Sequence, residues 1–265
     1  MTKKELLDRC ARDGAERILL ARVLDKLELS QNRGVPAHTP FLSPGEQASV
    51  TDLLNAWGRP RHLFWGGYPD SERNICLFLA DWQEESVLAD PDGPLTALQG
   101  TFPADASLTH RDILGSLMGV GITRELVGDI LLPRPGLCQV AVLREAAPIL
   151  LSQWEGAGRY KVSLSEIPLD RLTPRPAQVK TIRDTVATPR LDAVTAAGFS
   201  LSRGKAAALI ASGKVSLNHR ECLKADRPVA EGDVLTCRGL GKCVVKEVPG
   251  QSKKGRTMLV IERYV

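Results

Sequence analysis

Apolar side chains recur at helical spacing from the start of the chain. Leu6, Leu7, Cys10, Ile18, Leu19, Val23, Leu24 and Leu27 fill one face between charged positions. Residues 3–29 therefore read as helix, divided at Gly14. Gln31–Pro40 holds Gly34, Pro36 and Pro40 and reads as a loop. Ser43-Pro44 starts another helix, a capping residue followed by proline in the first turn, which should end near Trp57. His62–Trp65 and Ile75–Trp82 read as strands around Gly66-Gly67-Tyr68-Pro69. The breaker cluster Asp90-Pro91-Asp92-Gly93-Pro94 marks a domain boundary.

Beyond it the pattern switches repeatedly between strand and helix periods. Leu95–Phe102 is strand-like. Thr109 can cap a helix running through Leu114 to Met118, with Asp112 placed to close a capping box and Gly119 and Gly121 ending it. Gly128–Leu132 and Leu137–Leu143 read as strands joined by the turn Pro133–Gly136. Glu145–Trp154 reads as helix and Tyr160–Leu164 as a last strand. The order β-α-β-β-α-β predicts a ferredoxin-like sandwich, an architecture shared by many RNA-binding modules. Such modules stack bases on sheet aromatics. Strands 128–132 and 137–143 contain none, which argues against single-strand RNA binding there. Ile167–Pro176, with Pro168, Pro174 and Pro176, reads as a connection.

In the last third, Thr188-Pro189 starts a short helix and Gly198 supplies a stop. Ser202 caps a second helix, Arg203–Ser212, stopped by Gly213, with Ala206, Leu209 and Ile210 in one stripe. Lys214–Leu217 reads as a strand and Asn218-His219 as a turn. Glu231-Gly232-Asp233 is a turn feeding the strand Val234–Cys237. Arg238–Lys242 is a hairpin loop, and Cys243–Val248 and Met258–Tyr264 are the last strands. The expected fold class is α+β in three parts. These are an N-terminal α/β domain over 1–90, a central ferredoxin-like (RRM-like) domain over 91–168, and two short helices on a small twisted sheet over 186–265.

Composition narrows the function. The chain has 265 residues, 43% hydrophobic and 25% charged, ordinary values for globular protein. No apolar run approaches the roughly 20 residues of a membrane span, and the N-terminus lacks a signal peptide's apolar core. A cytoplasmic location is expected. Six cysteines are scattered without a C-x-x-C pair and the four histidines are isolated, so neither a metal nor a cofactor is expected. The net charge of +4 hides an asymmetry: residues 180–265 carry 16 Lys+Arg against 8 Asp+Glu, and the remainder is net −4. A basic last third points to a polyanion partner, nucleic acid or an anionic membrane surface. The N-terminal helix has mixed charges, so a basic membrane helix is not evident.

Six ordered blocks then carry a resemblance. Arg190-Leu191-Asp192, Ser202-Arg203-x-Lys205-Ala206, Leu209-Ile210, Gly213-Lys214-Val215-x-Leu217-Asn218, Glu231-Gly232-Asp233 and Arg238-Gly239 together resemble the S4-type (αL) RNA-binding domain. Phe41-Leu42-x-Pro44, Gly66-Gly67-Tyr68-x-x-x-Glu72-Arg73, and His110-Arg111-Asp112-Ile113-Leu114-Gly115 through Gly128-Asp129-Ile130 resemble the bacterial YlmH family. This resemblance implies a non-enzymatic, ribosome-associated protein that binds rRNA or tRNA on the large subunit. It also implies a place in quality control and, in some members, a link to cell division. A monomer without a membrane partner is expected. In S4-type domains the first two helices and the next strand face structured RNA. Arg190, in the first turn of helix one, and Arg203 and Lys205, in the first turn of helix two, are the expected phosphate contacts. Lys214, Asn218 and Arg238 would extend them. Arg203 can grip a phosphate through two parallel hydrogen bonds. Asp192 would brace Arg190 or cap locally, since a carboxylate repels phosphate.

Other features have alternative readings. Lys253-Lys254-x-Arg256 either extends the RNA footprint or is a solvated loop. Gly66-Gly67 is a tight turn or an anion nest. His110, Arg111 and Asp112 are consecutive on a helix and point apart, as a helix start with surface charge does. Arg124, Glu125 and Asp129 form a structural ion-pair set or touch RNA. Trp57, Trp65, Trp82 and Trp154 read as core. Arg190-Leu191-Asp192-x-x-Thr195 also resembles the catalytic motif of pseudouridine synthases, but too few residues follow it for that catalytic domain. A division-site scaffold is the other rival.

Overall fold

The computed structural model describes residues 2–79 and 92–264. It divides into two compact units, Met1–Arg175 and Pro176–Val265.

The first unit opens with helices α1 (Lys3–Cys10) and α2 (Gly14–Arg33). They are divided where Gly14 predicts, because Asp13 leaves the helix and accepts from the Glu16 N–H at 2.8 Å. The second helix runs into the expected loop and ends on Gly34 at φ +63°. Strand β1 (Ala37–His38) also occupies that expected loop. Helix α3 (Pro44–Trp57) follows with a complete capping box between Ser43 and Glu46. Strands β2 (His62–Trp65) and β3 (Ile75–Phe78) complete an antiparallel sheet in the order β1-β3-β2. The remainder of the strand expected to Trp82, that tryptophan itself, and Asp90-Pro91 lie outside the described residues. Leu6, Leu20, Leu24, Leu53, Leu54 and Phe78 form the core here.

Next come β4 (Leu95–Thr101), α4 (His110–Gly119), β5 (Val127–Arg134), β6 (Leu137–Leu143) and α5 (Ala147–Gln153). A small hairpin, β7 (Gly156–Ala157) and β8 (Tyr160–Lys161), precedes β9 (Ser163–Ile167). The sheet order β5-β6-β4-β9, antiparallel throughout, is that of the expected ferredoxin-like sandwich. The strand read over Tyr160–Leu164 needs correction. Tyr160 and Lys161 pair only within the hairpin, Val162 turns into the core, and the sheet's edge begins at Ser163.

Both faces of this sheet are covered. Leu98, Val140 and Val142 point toward α4 and α5, where they meet Ile113, Leu117 and Leu150. Their alternates Ala97, Ala141 and Leu143 pack instead with Phe41, Ile75 and Leu172. The segments 1–90 and 91–168 thus share a core. The expected connection 167–176 lies on it: Gln139 donates to the Arg171 carbonyl at 3.0 Å and accepts from the Thr173 N–H at 2.8 Å.

The second unit contains β10 (Val179–Val186), α6 (Leu191–Phe199), α7 (Arg203–Ala211), β11 (Val215–Leu217) and β12 (Arg220–Glu221). Strands β13 (Val234–Cys237), β14 (Gly241–Gln251) and β15 (Thr257–Tyr264) complete an antiparallel sheet ordered β10-β15-β14-β13-β11-β12. Leu191, Val194, Ile210, Val215, Leu235 and Ile261 are its buried centre.

Two sequence expectations change here, and one strand is added. Helix α6 starts at Leu191 rather than Thr188-Pro189, because the Pro189 carbonyl is taken by the Val229 N–H at 2.8 Å. Gly198 lies inside that helix; a Cβ there would come within 2.8 Å of the Cys243 Sγ, and the stop is Ser200 at φ +56°. Strand β10 fills a stretch to which the sequence assigns no element, and it is the full-length partner of β15.

Candidate nucleic-acid interface

The six expected contact residues all lie in the second unit. Arg190 is the N-cap residue of α6, with extended backbone, and not a member of its first turn. Its guanidinium reaches Asp192, with Nη2 to Oδ2 at 3.3 Å. Asp192 also receives Arg203 from the start of α7, Nε to Oδ2 at 3.1 Å. The Asp192 side chain is 8% exposed, while those of Arg190 and Arg203 are 38% and 58% exposed. One buried carboxylate therefore orients two exposed guanidiniums. The Nε edge of Arg203 is consumed by this contact, which reduces the donors left for a two-bond grip on phosphate.

The other residues divide by location. Lys205 is exposed in the same first turn of α7, its backbone N–H held by the Ser202 Oγ at 3.3 Å. Lys214 and Arg238 meet at the end of the β11–β13 pair, where the Arg238 N–H donates to the Lys214 carbonyl at 2.9 Å. Both are exposed. One helix of nine residues separates this pair from Arg203, about 13 Å along its axis. Asn218 joins neither group. At φ +50° it donates to Asp233 at 2.8 Å and accepts from the Val234 N–H at 2.9 Å, so its amide locks one turn to another.

Sequence reading left the role of Arg256 open and did not single out Asp184. Arg256 donates from Nε to Thr185 Oγ1 at 3.0 Å, and its Nη2 also bonds the Thr185 carbonyl. This ties the β14–β15 turn to β10. The signal was available in Lys253-Lys254-x-Arg256; its partner strand was the missing half.

In the first unit Asp129 and Arg124 make hydrogen bonds to backbone groups. Asp129 accepts the Tyr68 hydroxyl at 2.7 Å and the N–H groups of Glu72 at 2.7 Å and Arg73 at 3.1 Å. Arg73 donates to the carbonyls of Val127 (3.1 Å) and Phe41 (3.0 Å), and Arg124 to that of Gly128 (2.9 Å). Burial, with Arg73 nearby, lowers the Arg124 pKa to about 10. A Cβ at Gly66 would lie 2.2 Å from the Arg73 carbonyl, so the Gly66-Gly67 turn is folded tightly on itself. The Gly-Gly-Tyr-x-x-x-Glu-Arg block is thus a latch between the N-terminal segment and β5. Burial pushes the thiols of Cys76 and Cys243 up to about 12 and that of Cys138 to about 11, well away from reactive thiolates. Among the described residues no three His, Cys, Asp or Glu side chains group as metal ligands, and no helix is long and apolar enough to cross a membrane.

Two helices on a twisted sheet, presenting arginines over a buried aspartate and following a ferredoxin-like sandwich, define an S4-type RNA-binding protein. Family models agree: "S4 domain" matches residues 189–235, "Putative RNA-binding domain in YlmH" residues 101–171, and "YlmH, N-terminal" residues 15–78. Ribosome-associated protein quality control protein P2 of Bacillus subtilis (strain 168) is 32% identical over 252 residues, 94% of this chain and 95% of that protein. The chain belongs to the YlmH family. A solved structure, cell division protein ylmH from Streptococcus pneumoniae, aligns at 23% identity with a TM-score of 0.49, covering 62% of this chain and 98% of that one.

Proposed function

We propose that this protein binds structured RNA on the ribosome, rRNA of the large subunit or a tRNA held there, and serves ribosome-associated quality control as a cytoplasmic, monomeric, non-catalytic factor. The observation that carries this reading is the Asp192 brace, which fixes Arg190 and Arg203 together beside Lys205. Fixed cations on one surface match a phosphate backbone at low ordering cost. Lys214 and Arg238 add a second contact along α7. The name of the Bacillus subtilis relative supports the ribosomal setting. Within this reading the parts 1–90 and 91–168 form the body and 186–265 grips RNA. The brace also weighs against a pseudouridine synthase. Asp192 is buried and already shared by two guanidiniums, whereas a catalytic aspartate must meet its substrate.

Sucrose-gradient sedimentation of lysate tests the proposal, comparing wild type with Arg203→Ala/Lys205→Ala. Wild type should travel with the large subunit and the double variant should stay at the top. The variant's salt slope on rRNA should fall by roughly one per lost phosphate contact. Wild type at the top of the gradient, or a folded double variant that sediments like wild type, would overturn the assignment.

A further inference from the structure

Beside the braced arginines, β10, α6 and the β14–β15 turn enclose an open groove of about 330 Å³. That is the lower end of the roughly 300–1,000 Å³ typical of small-ligand sites. Its wall on α6 is made of small side chains, Ala193, Ala196 and Ala197. Two cations line it, Arg203 and Arg256, and so does one carboxylate, Asp184. We propose that this groove takes a single unpaired nucleotide of the bound RNA. The inference rests on the RNA-binding reading above and deepens it.

Both guanidiniums are held before any ligand arrives. Arg203 is fixed by Asp192, and Arg256 by Thr185. The turn bearing Arg256 is itself closed, with the Ser252 N–H on the Arg256 carbonyl at 2.7 Å and the Gly255 N–H on the Ser252 carbonyl at 2.9 Å. Gly255 supplies the φ of +71° this turn requires. Preset cations lose little side-chain freedom on binding an anion. Asp184 then selects what accompanies the anion. It holds one oxygen on the Thr185 N–H at 2.6 Å and lies exposed at the groove. A bare phosphate would meet repulsion from this carboxylate. A nucleotide brings a phosphate for the arginines, base N–H or 2′-hydroxyl donors for Asp184, and a flat apolar face for the alanines. In a paired A-form stem the base edges are engaged and stacked, so the nucleotide must be unpaired.

The test uses the full-length protein and two fluorescein-labelled RNA hairpins sharing one stem, one fully paired and one with a single-nucleotide bulge. Fluorescence anisotropy gives the affinity ratio. Wild type should prefer the bulged hairpin by about tenfold, the low end of what one hydrogen bond to a charged group contributes. Arg256→Ala should bring the ratio near one. Ala196→Leu fills the groove and leaves every charge in place; it should also remove the preference, while keeping wild-type affinity and salt slope on the paired hairpin. A preference retained in both variants, or a wild type that binds both hairpins equally, overturns this inference and leaves the RNA-binding reading standing. A wild type that binds neither hairpin overturns both.

Discussion

Asp192 concentrates the chemistry of the proposed interface in one side chain. Its two neighbours differ in how far the sequence discloses them. Arg190 stands two residues away, and the Arg-Leu-Asp block makes its bracing legible. Arg203 stands eleven residues on, and it arrives only because Ser200 turns the chain at φ +56° between α6 and α7. A non-glycine residue in that conformation leaves no reliable sequence mark. The shared brace makes an unusual prediction. Asp192→Ala raises the positive charge of the domain, so a model of unspecific attraction has RNA bind more tightly. If geometry governs, affinity for rRNA falls despite the added charge. Stability should drop by about 1–3 kcal/mol, because a buried hydrogen-bonded acceptor is lost while its partners remain half-solvated. Urea melts and anisotropy at one salt concentration check both parts. Tighter binding by a folded variant would remove the brace from the mechanism.

At the scale of elements, local signals were sufficient wherever an element depends on its own residues. The capping boxes at Ser43 and Thr109 set their helices where the sequence puts them. Strand β10 depends on its partner instead. Mostly exposed, it shows little apolar alternation, and its pairing with β15 spans a long stretch of chain. The α1–α2 corner is a third case, closed by charge. Arg12 donates to Glu16 through its backbone N–H at 2.7 Å and its guanidinium at 2.8 and 3.0 Å, and Arg12 also reaches Ser49 of α3 at 2.9 Å. These bonds hold the Glu16 carboxyl at about 2, against an ordinary 4.5. A lowered pKa means stability that is present above 4.5 and is lost as the pH falls toward 2. Glu16→Gln should therefore cost about 1–2 kcal/mol at pH 7, the full linkage value being discounted because Arg12 is more than half exposed. The gap between variant and wild type should close between pH 4.5 and 2 in urea-unfolding series. A gap independent of pH would show that the corner is held by something other than this ion pair.

Across the whole molecule, the covered sheet decides how the pieces can work. Ferredoxin-like RNA modules need one open face on which bases can stack. Strands β5 and β6 offer no aromatic for such stacking. What covers this face could not be read locally, because Phe41, Ile75 and Leu172 come from distant parts of the chain and each is an ordinary apolar residue. The apolar run of β6, broken only by the buried Gln139, is the trace left in the sequence, since a strand with one wet face would alternate. The latch on Asp129 then holds the cover down. It follows that the ferredoxin-like part is not independent of what precedes it, while residues 176–265 own a complete core. A fragment of residues 176–265 should unfold cooperatively by itself and retain most of the affinity for rRNA. A fragment of residues 92–175 should expose Ala97, Ala141 and Leu143, bind a hydrophobic dye such as ANS, and aggregate at concentrations where the full chain does not. Adding back residues 2–79 in one chain should abolish the dye binding. If the 92–175 fragment is instead monomeric, dye-silent and cooperative, the shared core contributes little. Its outer face would then be free to meet RNA, and the proposed interface would extend beyond the second unit.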